Sequence, residues 1–412
     1  VETLQPQEAG EVAEALKWAA ADEKQICIVG GDSKARYGRP VTATHRIATT
    51  AMSGIIFYEP EELVIRIKAG TLLSEIHTAL ASNRQHFGFE TPDWGDLTGS
   101  GKNDQTIGGV VAANVSGPRR LQSGGVRDHL LGFEAINGRG EAIKSGGRVI
   151  KNVSGYDLPK LMCGSHGTLC VLTEVTLRLL PAPDEARTVA IAGLNDHRAQ
   201  QFLSHCMQSS LEVSGAAHLS GWAIQKSALK ELASLESGVT VVRVEGPADS
   251  VQQRATALKE LAAREGFSKS PMSGRDGIAI LGDAPSRGLW AEIRDAAFFD
   301  KQDGAIWRIS VAPNKGPAVL ASIGVDAYFL DWAGGLIWLQ TQPSQNGDEP
   351  LVRSAVKAAG GHATLFSADD DVRRLAPVFN PQPPALAALT RRIKSAFDPM
   401  HILNPGRMYP AE

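Results

Sequence analysis

The chain has 412 residues, enough for two domains or for one large domain with an insertion, and its 43% apolar fraction is ample for a sizeable core. A formal charge of −3 supplies no net attraction for nucleic acid or an anionic membrane. No apolar run is long enough to span a bilayer and the start does not read as a signal peptide. Cys27, Cys163, Cys170 and Cys206 form no C-x-x-C pair, so no iron–sulfur cluster and no metal site is indicated, and a free-thiol cytoplasmic protein is the expectation.

In chain order, Val12, Leu16 and Ala19 recur at helical spacing over residues 8–22. ICIVG (26–30) reads as a buried strand emptying into the loop GDSKARYGRP. GIIFYEP and ELVIRIKAG read as two strands, the second alternating Leu63, Ile65 and Ile67 with Val64, Arg66 and Lys68. LLSEIHTALASN (72–83) returns to helical spacing. Residues 131–147 read as a β-hairpin turning at Asn137-Gly138, and residues 168–181 as a further strand. At PAPDEAR the composition shifts to alanine-rich helices alternating with TVAIAGL, VTVVRVEG, AIWRISVAP, DAYFLDW and LIWLQT, which predicts a second α/β domain. After a Pro-rich linker, a helix is predicted from Pro384 to Phe397, since Pro suits a first helical turn and FDP ends one.

Glycine numbers 42, in excess of a usual ~7%, and the excess concentrates between Gly95 and Gly167. The loop VGGDSKARYG (29–38) follows a strand directly; its backbone donors, the Ser33 hydroxyl and the Lys34 charge suit a pyrophosphate, and a plain surface turn fits it equally. G-x-G-x-x-G and the Walker A pattern are both absent. In QTIGGVVAANVSGPRR (105–120), tiny residues allow backbone to approach a large flat ligand; a buried alanine-rich helix turn is the other reading of residues 110–113. VIKNVSGYDLPKLMCGSHGTLCVLTEV (149–175) is, by chemistry alone, a polar loop carrying Lys151, Asn152, Tyr156, Asp157 and Lys160 beside a strand.

Taken together, IVGGDSK, TIGGVVAANVSGPRR, GGVRDHLLGFEAINGRGE, KNVSGYDLPKLMCGSHGTLCVLTEVTLRLLP and FDPMHILNPGRM resemble the FAD-binding domain of the vanillyl-alcohol oxidase/PCMH flavoprotein superfamily. SGPRR, KNVSGYD and NPGRM resemble the FAD-binding subunits of bacterial glycolate oxidases within it. The resemblance implies an α+β fold: a two-subdomain PCMH-type FAD-binding domain over 1–183, an α/β cap domain over 184–370, and a segment over 371–412 that returns to the FAD side. It places Val29, Gly30, Gly31, Asp32, Ser33 and Lys34 at the pyrophosphate. Pro92, Thr106, Ile107, Gly108 and Gly109 would line the adenosine–flavin path. Ala113, Asn114, Ser116 and Gly117 would touch the ribityl chain and flavin edge, Val171 the isoalloxazine through its backbone, and Asn404 the returning tail. Residues 29–38 lack the histidine that attaches FAD covalently in some relatives, so noncovalent FAD is expected. LDWAGGLIWLQ (330–340) has Asp331 but none of the histidines of the related metal-binding cap motif.

The resemblance further implies an FAD-dependent oxidoreductase subunit of a multi-subunit glycolate (2-hydroxy acid) oxidase. Its partners would be a second flavoprotein subunit and an iron–sulfur subunit, its setting cytoplasmic or peripheral at the inner membrane through those partners. A self-sufficient 2-hydroxy-acid dehydrogenase and a structural subunit with a vestigial flavin site are the alternatives. No catalytic residue is assigned. His129, His166 and His362 read first as structural hydrogen-bonders, Arg308 as a salt-bridging residue before a carboxylate ligand, Asp331 as a strand-end charge, and Trp307, Trp332 and Trp338 as cap packing. Arg119 and Arg120 are left between partner contact and solvent.

Overall fold

The computed structural model describes residues 1–98, 105–147, 156–235, 237–267 and 277–410. Lys102, Lys151 and Asn152 lie outside them. The chain gathers into two compact units: Val1–Ser116, Gly124–Pro181 and Pro377–Glu412 in the first, Gly117–Ser123 and Ala182–Ala376 in the second. This differs from a division in chain order at 183 and 370. The short piece Gly117–Ser123 goes with the second unit because Leu121 packs on that unit's apolar core and Arg119 is paired with its Glu245.

The strands of the first unit are β1 (Glu2–Leu4), β2 (Ile26–Val29), β3 (His45–Ala48), β4 (Ile55–Glu59), β5 (Val64–Lys68), β6 (Gln85–His86), β7 (Leu130–Asn137), β8 (Ala142–Gly146), β9 (Cys170–Arg178) and β10 (Leu180–Pro181). They form a parallel sheet of order β1-β3-β2, an antiparallel sheet of order β4-β5-β9-β7-β8, and the small β10-β6 pair. The helix Ala9–Ala21 lays Val12, Leu16 and Ala19 onto Ile26 and Ile47, as its 3.6-residue spacing requires. Leu63 takes φ 55, so β5 starts one residue later than its apolar alternation suggests. Its polar face is fastened by Arg66, which bonds Glu174 of β9 and Glu134 of β7.

The hairpin turn is longer than a two-residue Asn-Gly turn. Asn137 Oδ1 accepts from the N–H groups of Arg139 (2.9 Å) and Glu141 (3.0 Å), and the left-handed residue is Gly140, φ +71. Gly138 is bare for another reason: a Cβ there would run into Asp398.

The tail is anchored through a buried ion pair. The helix Pro384–Phe397 buries one side chain, Lys394, whose Nζ donates to Asp398 Oδ2 (2.7 Å), Thr168 O (2.7 Å) and Leu403 O (2.8 Å). The Asp398 carboxylate in turn accepts from the N–H groups of Ile402 (3.1 Å) and Leu403 (2.8 Å). Leu403 then bridges in parallel to Ile26, so the tail runs along the edge of β2.

The second unit contains β11 (Glu185–Ala192), β12 (Val213–Leu219), β13 (Val239–Gly246), β14 (Ile278–Leu281), β15 (Ile306–Ser310), β16 (Tyr328–Asp331), β17 (Leu336–Gln340) and β18 (His362–Ser367). They make one antiparallel sheet of order β14-β11-β13-β12-β16-β17-β15-β18. One apolar cluster gathers around Phe202, Val242 and Leu258, another around Trp307, Ile337 and Leu365. Glu245 is buried between Arg119 (2.9 and 3.0 Å) and Arg243 (3.2 Å). Burial alone would raise its pKa; the two guanidiniums outweigh that and hold the carboxyl below its usual range.

Lys394→Met removes one member of a fully buried pair and strands the Asp398 charge. Chemical denaturation should register a loss of about 3–5 kcal/mol. A loss below about 1 kcal/mol, the scale of an exposed pair, would show that the tail is held some other way.

Candidate functional site

A narrow cavity lies inside the first unit, walled by three stretches of chain. The end of β2 and the loop after it give Ile28, Val29 and Gly30. The helix Ile107–Ala113 gives Gly108, Gly109 and Ala112. The turn into β9 and the strand itself give Ser165, His166, Gly167, Cys170 and Leu172. Thr49, Ala69 and Asn404 complete the lining.

Each wall is set by local chemistry. Thr106 caps its helix by accepting from Gly109 N (3.3 Å), and Asn114 ends the helix in a left-handed conformation, φ 50. QTIGGVVAA is therefore both a short buried helix and a cavity wall. Its two glycines differ. A Cβ on Gly108 would stand 2.8 Å from the Cβ and carbonyl oxygen of Ala69, so Gly108 is bare to let two segments of chain touch. Among the described residues a Cβ on Gly109, which lines the cavity, would meet only Thr106 Oγ1, at 3.3 Å. Gly30 is bare against Thr106.

Asn404, φ 42, uses its whole amide as a strut: Oδ1 accepts from Ile28 N and Nδ2 donates to His166 O, both at 2.8 Å. Gly167 is fixed by that strut, for a Cβ there would stand 2.7 Å from Asn404 Nδ2.

The loop beyond Gly30 has an uneven hydrogen-bond inventory. The carbonyls of Asp32, Ser33 and Lys34 are occupied by Ala35 N, Thr98 Oγ1 and Tyr37 N respectively. The N–H groups of Gly31, Asp32, Ser33 and Lys34 meet no protein acceptor among the described residues. Successive unpaired donors of this kind form an anion-binding nest. Lys34 stands there with its ammonium crowded by protein, held by Gln105 Oε1 (2.6 Å) and Ser33 Oγ (3.3 Å), both neutral groups. Burial pushes its pKa down to about 7, with Asp93 opposing.

Val29, Gly30, Gly108, Gly109 and Asn404 thus meet at one cavity. Gly31, Asp32, Ser33 and Lys34 continue from its rim, and Gln105 links Lys34 to Pro92 by donating to Pro92 O (2.8 Å). Thr106 caps the wall helix, and Ile107 and Ala113 are buried within it. Asn114 Oδ1 is buried with no hydrogen-bond partner among the described residues, a vacancy a ligand donor could fill. Ser116 Oγ is engaged by Val126 N (3.1 Å). Val171 packs in the core between the cavity residues Cys170 and Leu172. Gly117 falls in the second unit, where its carbonyl accepts from Trp332 Nε1.

The sequence reading gives Ser165, Gly167 and Cys170 no site role and reads His166 as structural; the turn glycines Gly164 and Gly167 were the signal available. His166 packs edge-on against Tyr37 and at a tilt against Phe379, and burial, aided by the Arg407 charge, lowers its pKa to about 3, so its imidazole stays neutral. Burial pushes the Cys170 thiol up to about 12, so it is not a thiolate. In the second unit Trp332 lies between the guanidiniums of Arg120 (4.8 Å) and Arg308 (4.9 Å), which gives Arg120 a place within the fold. Trp307 and Trp338 are core residues, and Asp331 Oδ1 accepts from Trp332 N (2.7 Å).

Residues 3–146 match the FAD binding domain family, and residues 380–408 match the C-terminal domain of FAD linked oxidases. The chain is 33% identical over 397 residues to the glycolate oxidase subunit GlcE of Escherichia coli, covering 96% of both proteins. The chain belongs to the FAD-linked oxidase family that includes GlcE. It is also 24% identical over 375 residues to glycolate oxidase subunit GlcD of Bacillus subtilis, covering 87% of this chain and 78% of that one. A solved structure of alkyldihydroxyacetonephosphate synthase superposes with a TM-score of 0.69 at 16% identity, over 98% of this chain and 76% of the other, which shows the shared PCMH-type fold.

The protein is accordingly an FAD-dependent oxidoreductase of this family. The first unit suits that cofactor: an unpaired nest and a cation for a diphosphate, a bare glycine wall, and an orphaned buried acceptor.

Gly109→Val should fill the wall and abolish the flavin absorbance of the purified chain without lowering its unfolding temperature. Gly108→Ala should instead destabilise the fold, by crowding Ala69. Equal flavin content in wild type and Gly109→Val would remove Gly109 from the site. For Lys34, the folded pKa lies below the unfolded value of 10.5, so its charge disfavours the flavin-free fold below pH 7 and that cost is relieved as pH rises through the window from about 7 to 10.5. A bound diphosphate restores the proton. FAD affinity should therefore fall as pH rises above about 7, and Lys34→Met should flatten that slope; identical slopes in titrations of both proteins would contradict it.

Proposed function

We propose that the chain is the FAD-binding subunit of a multi-subunit glycolate (2-hydroxy acid) oxidase, holding FAD noncovalently in its first unit, with the second unit as the cap domain. The reading for substrate and assembly rests on the match to GlcE across 96% of both chains. Bound FAD supplies two-electron redox chemistry. The residues of the chain do the rest. Val29 and the nest at Gly30, Gly31, Asp32, Ser33 and Lys34 hold the diphosphate. Pro92 and Thr106, with Ile107 behind it, would shape the path to Gly108 and Gly109, where the lack of side chains would let the cofactor approach the backbone. Ala113, Asn114 and Ser116 would meet the ribityl and flavin end, with Asn114 Oδ1 accepting a hydrogen bond from the ligand. Val171 presents backbone, and Asn404 braces the wall. Ile28, Ala69, Ala112 and Leu172 exclude water from the cavity.

Electrons pass on through a partner flavoprotein and an iron–sulfur subunit in this reading. It is supported by the cap stretch at residues 330–340, where the one carboxylate, Asp331, is 2% exposed and bonded to Trp332 N. The partners would also account for any association with the inner membrane; no described helix is long and apolar enough to cross one.

Anaerobic glycolate should leave the flavin of the isolated chain oxidised and bleach it once the partner subunits are added. Full bleaching of the isolated chain would establish a self-sufficient dehydrogenase instead. Acid precipitation should release all flavin to the supernatant; flavin retained in the pellet would mean a covalent link, and His166 is the cavity imidazole to examine.

A further inference from the structure

The tail residue Arg407 holds the first loop together. Its Nη2 donates to the carbonyls of Lys34 (2.7 Å) and Tyr37 (2.9 Å), and its Nη1 to those of Ala35 (3.0 Å) and Arg39 (3.3 Å). Its own carbonyl accepts from Arg39 N (2.9 Å). The loop is shaped around it: Gly38 has φ +121, and a Cβ there would stand 2.7 Å from Arg407 Nε.

One guanidinium therefore gathers four carbonyl oxygens of residues 34–39. The carbonyls of Asp32 and Ser33 are already occupied within the unit. What the loop has left over, among the described residues, is donors, the N–H groups of Gly31, Asp32, Ser33 and Lys34. A planar fork of fixed N–H directions can span four carbonyls in a way a compact ammonium cannot. A positive group on the carbonyl side also removes the oxygen dipoles that would otherwise repel an anion.

We propose that Arg407 is the positioning residue of a diphosphate cradle: by engaging the carbonyls of residues 34–39 it leaves the N–H groups of residues 31–34 free for an anionic diphosphate. Arg407 acts through the loop, not on the ligand. The proposal rests on the reading of the first unit as the FAD site and adds to it that the C-terminal tail governs cofactor capture.

The test uses the full chain stripped of flavin, as wild type, Arg407→Lys and Arg407→Ala. Binding of FAD and of ADP is measured by calorimetry, and thermal unfolding is followed with and without each ligand. Arg407→Ala should weaken FAD and ADP alike by at least about tenfold, the scale of one lost charge-assisted contact. Its flavin-free unfolding temperature should stay close to wild type, and Arg407→Lys should fall between the two. Unchanged affinities overturn the proposal. So does a lower flavin-free unfolding temperature with the ligand-induced rise intact, which is the mark of a merely structural role. Wild type that binds neither ligand would instead sink the FAD reading itself. Should Arg407→Ala not fold, Arg407→Gln, which keeps the side-chain stem but loses the charge and the planar fork, must produce the same loss of FAD and ADP binding, and unchanged affinities there overturn the proposal.

Discussion

The cofactor unit depends on closing a chain whose two ends must meet, and the Lys394–Asp398 pair closes it. Burying an ammonium and a carboxylate is costly unless every proton and lone pair is used. Here the three Lys394 protons go to Asp398, Thr168 O and Leu403 O, and Asp398 also caps the N–H groups of Ile402 and Leu403. That geometry fixes where Leu403 meets Ile26, which fixes Asn404 between Ile28 and His166. Three residues further on, Arg407 reaches the first loop. A pair outside the cavity lining, bonded to the neighbours of Gly167 and Asn404, thus sets two of its walls.

The glycine excess has two physical causes that composition merges. Gly30, Gly108 and Gly138 are bare because another part of the chain, at Thr106, Ala69 and Asp398, occupies the space of a side chain. Gly109 is bare toward the cavity, and it alone of the pair at 108 and 109 leaves room for a ligand. Substitutions at the two classes separate folding from binding, which a count of glycines cannot.

The sequence made the β-branched runs legible because their patterns are local: Ile26–Val29, Val64–Lys68 and Val239–Gly246 stand out by composition. It hid β12, whose residues V-S-G-A-A-H-L are all buried and so show no alternation, and it hid β14 and β18. In the site, Val29, Gly30, Gly108, Gly109 and Asn404 were readable from Gly-rich spacing and family resemblance, and all five line the cavity. Arg407 was not, because its partners are backbone carbonyls some 370 positions away, and carbonyls carry no residue identity. Arg119 and Arg120 were equally opaque: their partners, Glu245 and Trp332, lie more than a hundred residues downstream.

The distinction that separates scaffold from site is how each buried charge is balanced. Glu245 has two guanidiniums, and Lys394 has a carboxylate and two carbonyls; both networks are closed, and nothing in them awaits a ligand. Lys34 hydrogen-bonds the neutral oxygens of Gln105 and Ser33, with the Asp93 charge too weak to offset burial, beside four backbone N–H groups with no protein acceptor among the described residues. A cation held by neutral oxygens beside unused backbone donors is a local excess of positive potential, which favours an anion. An anion with several acceptor oxygens would balance these groups, and in the function proposed for this chain that anion is the diphosphate of FAD.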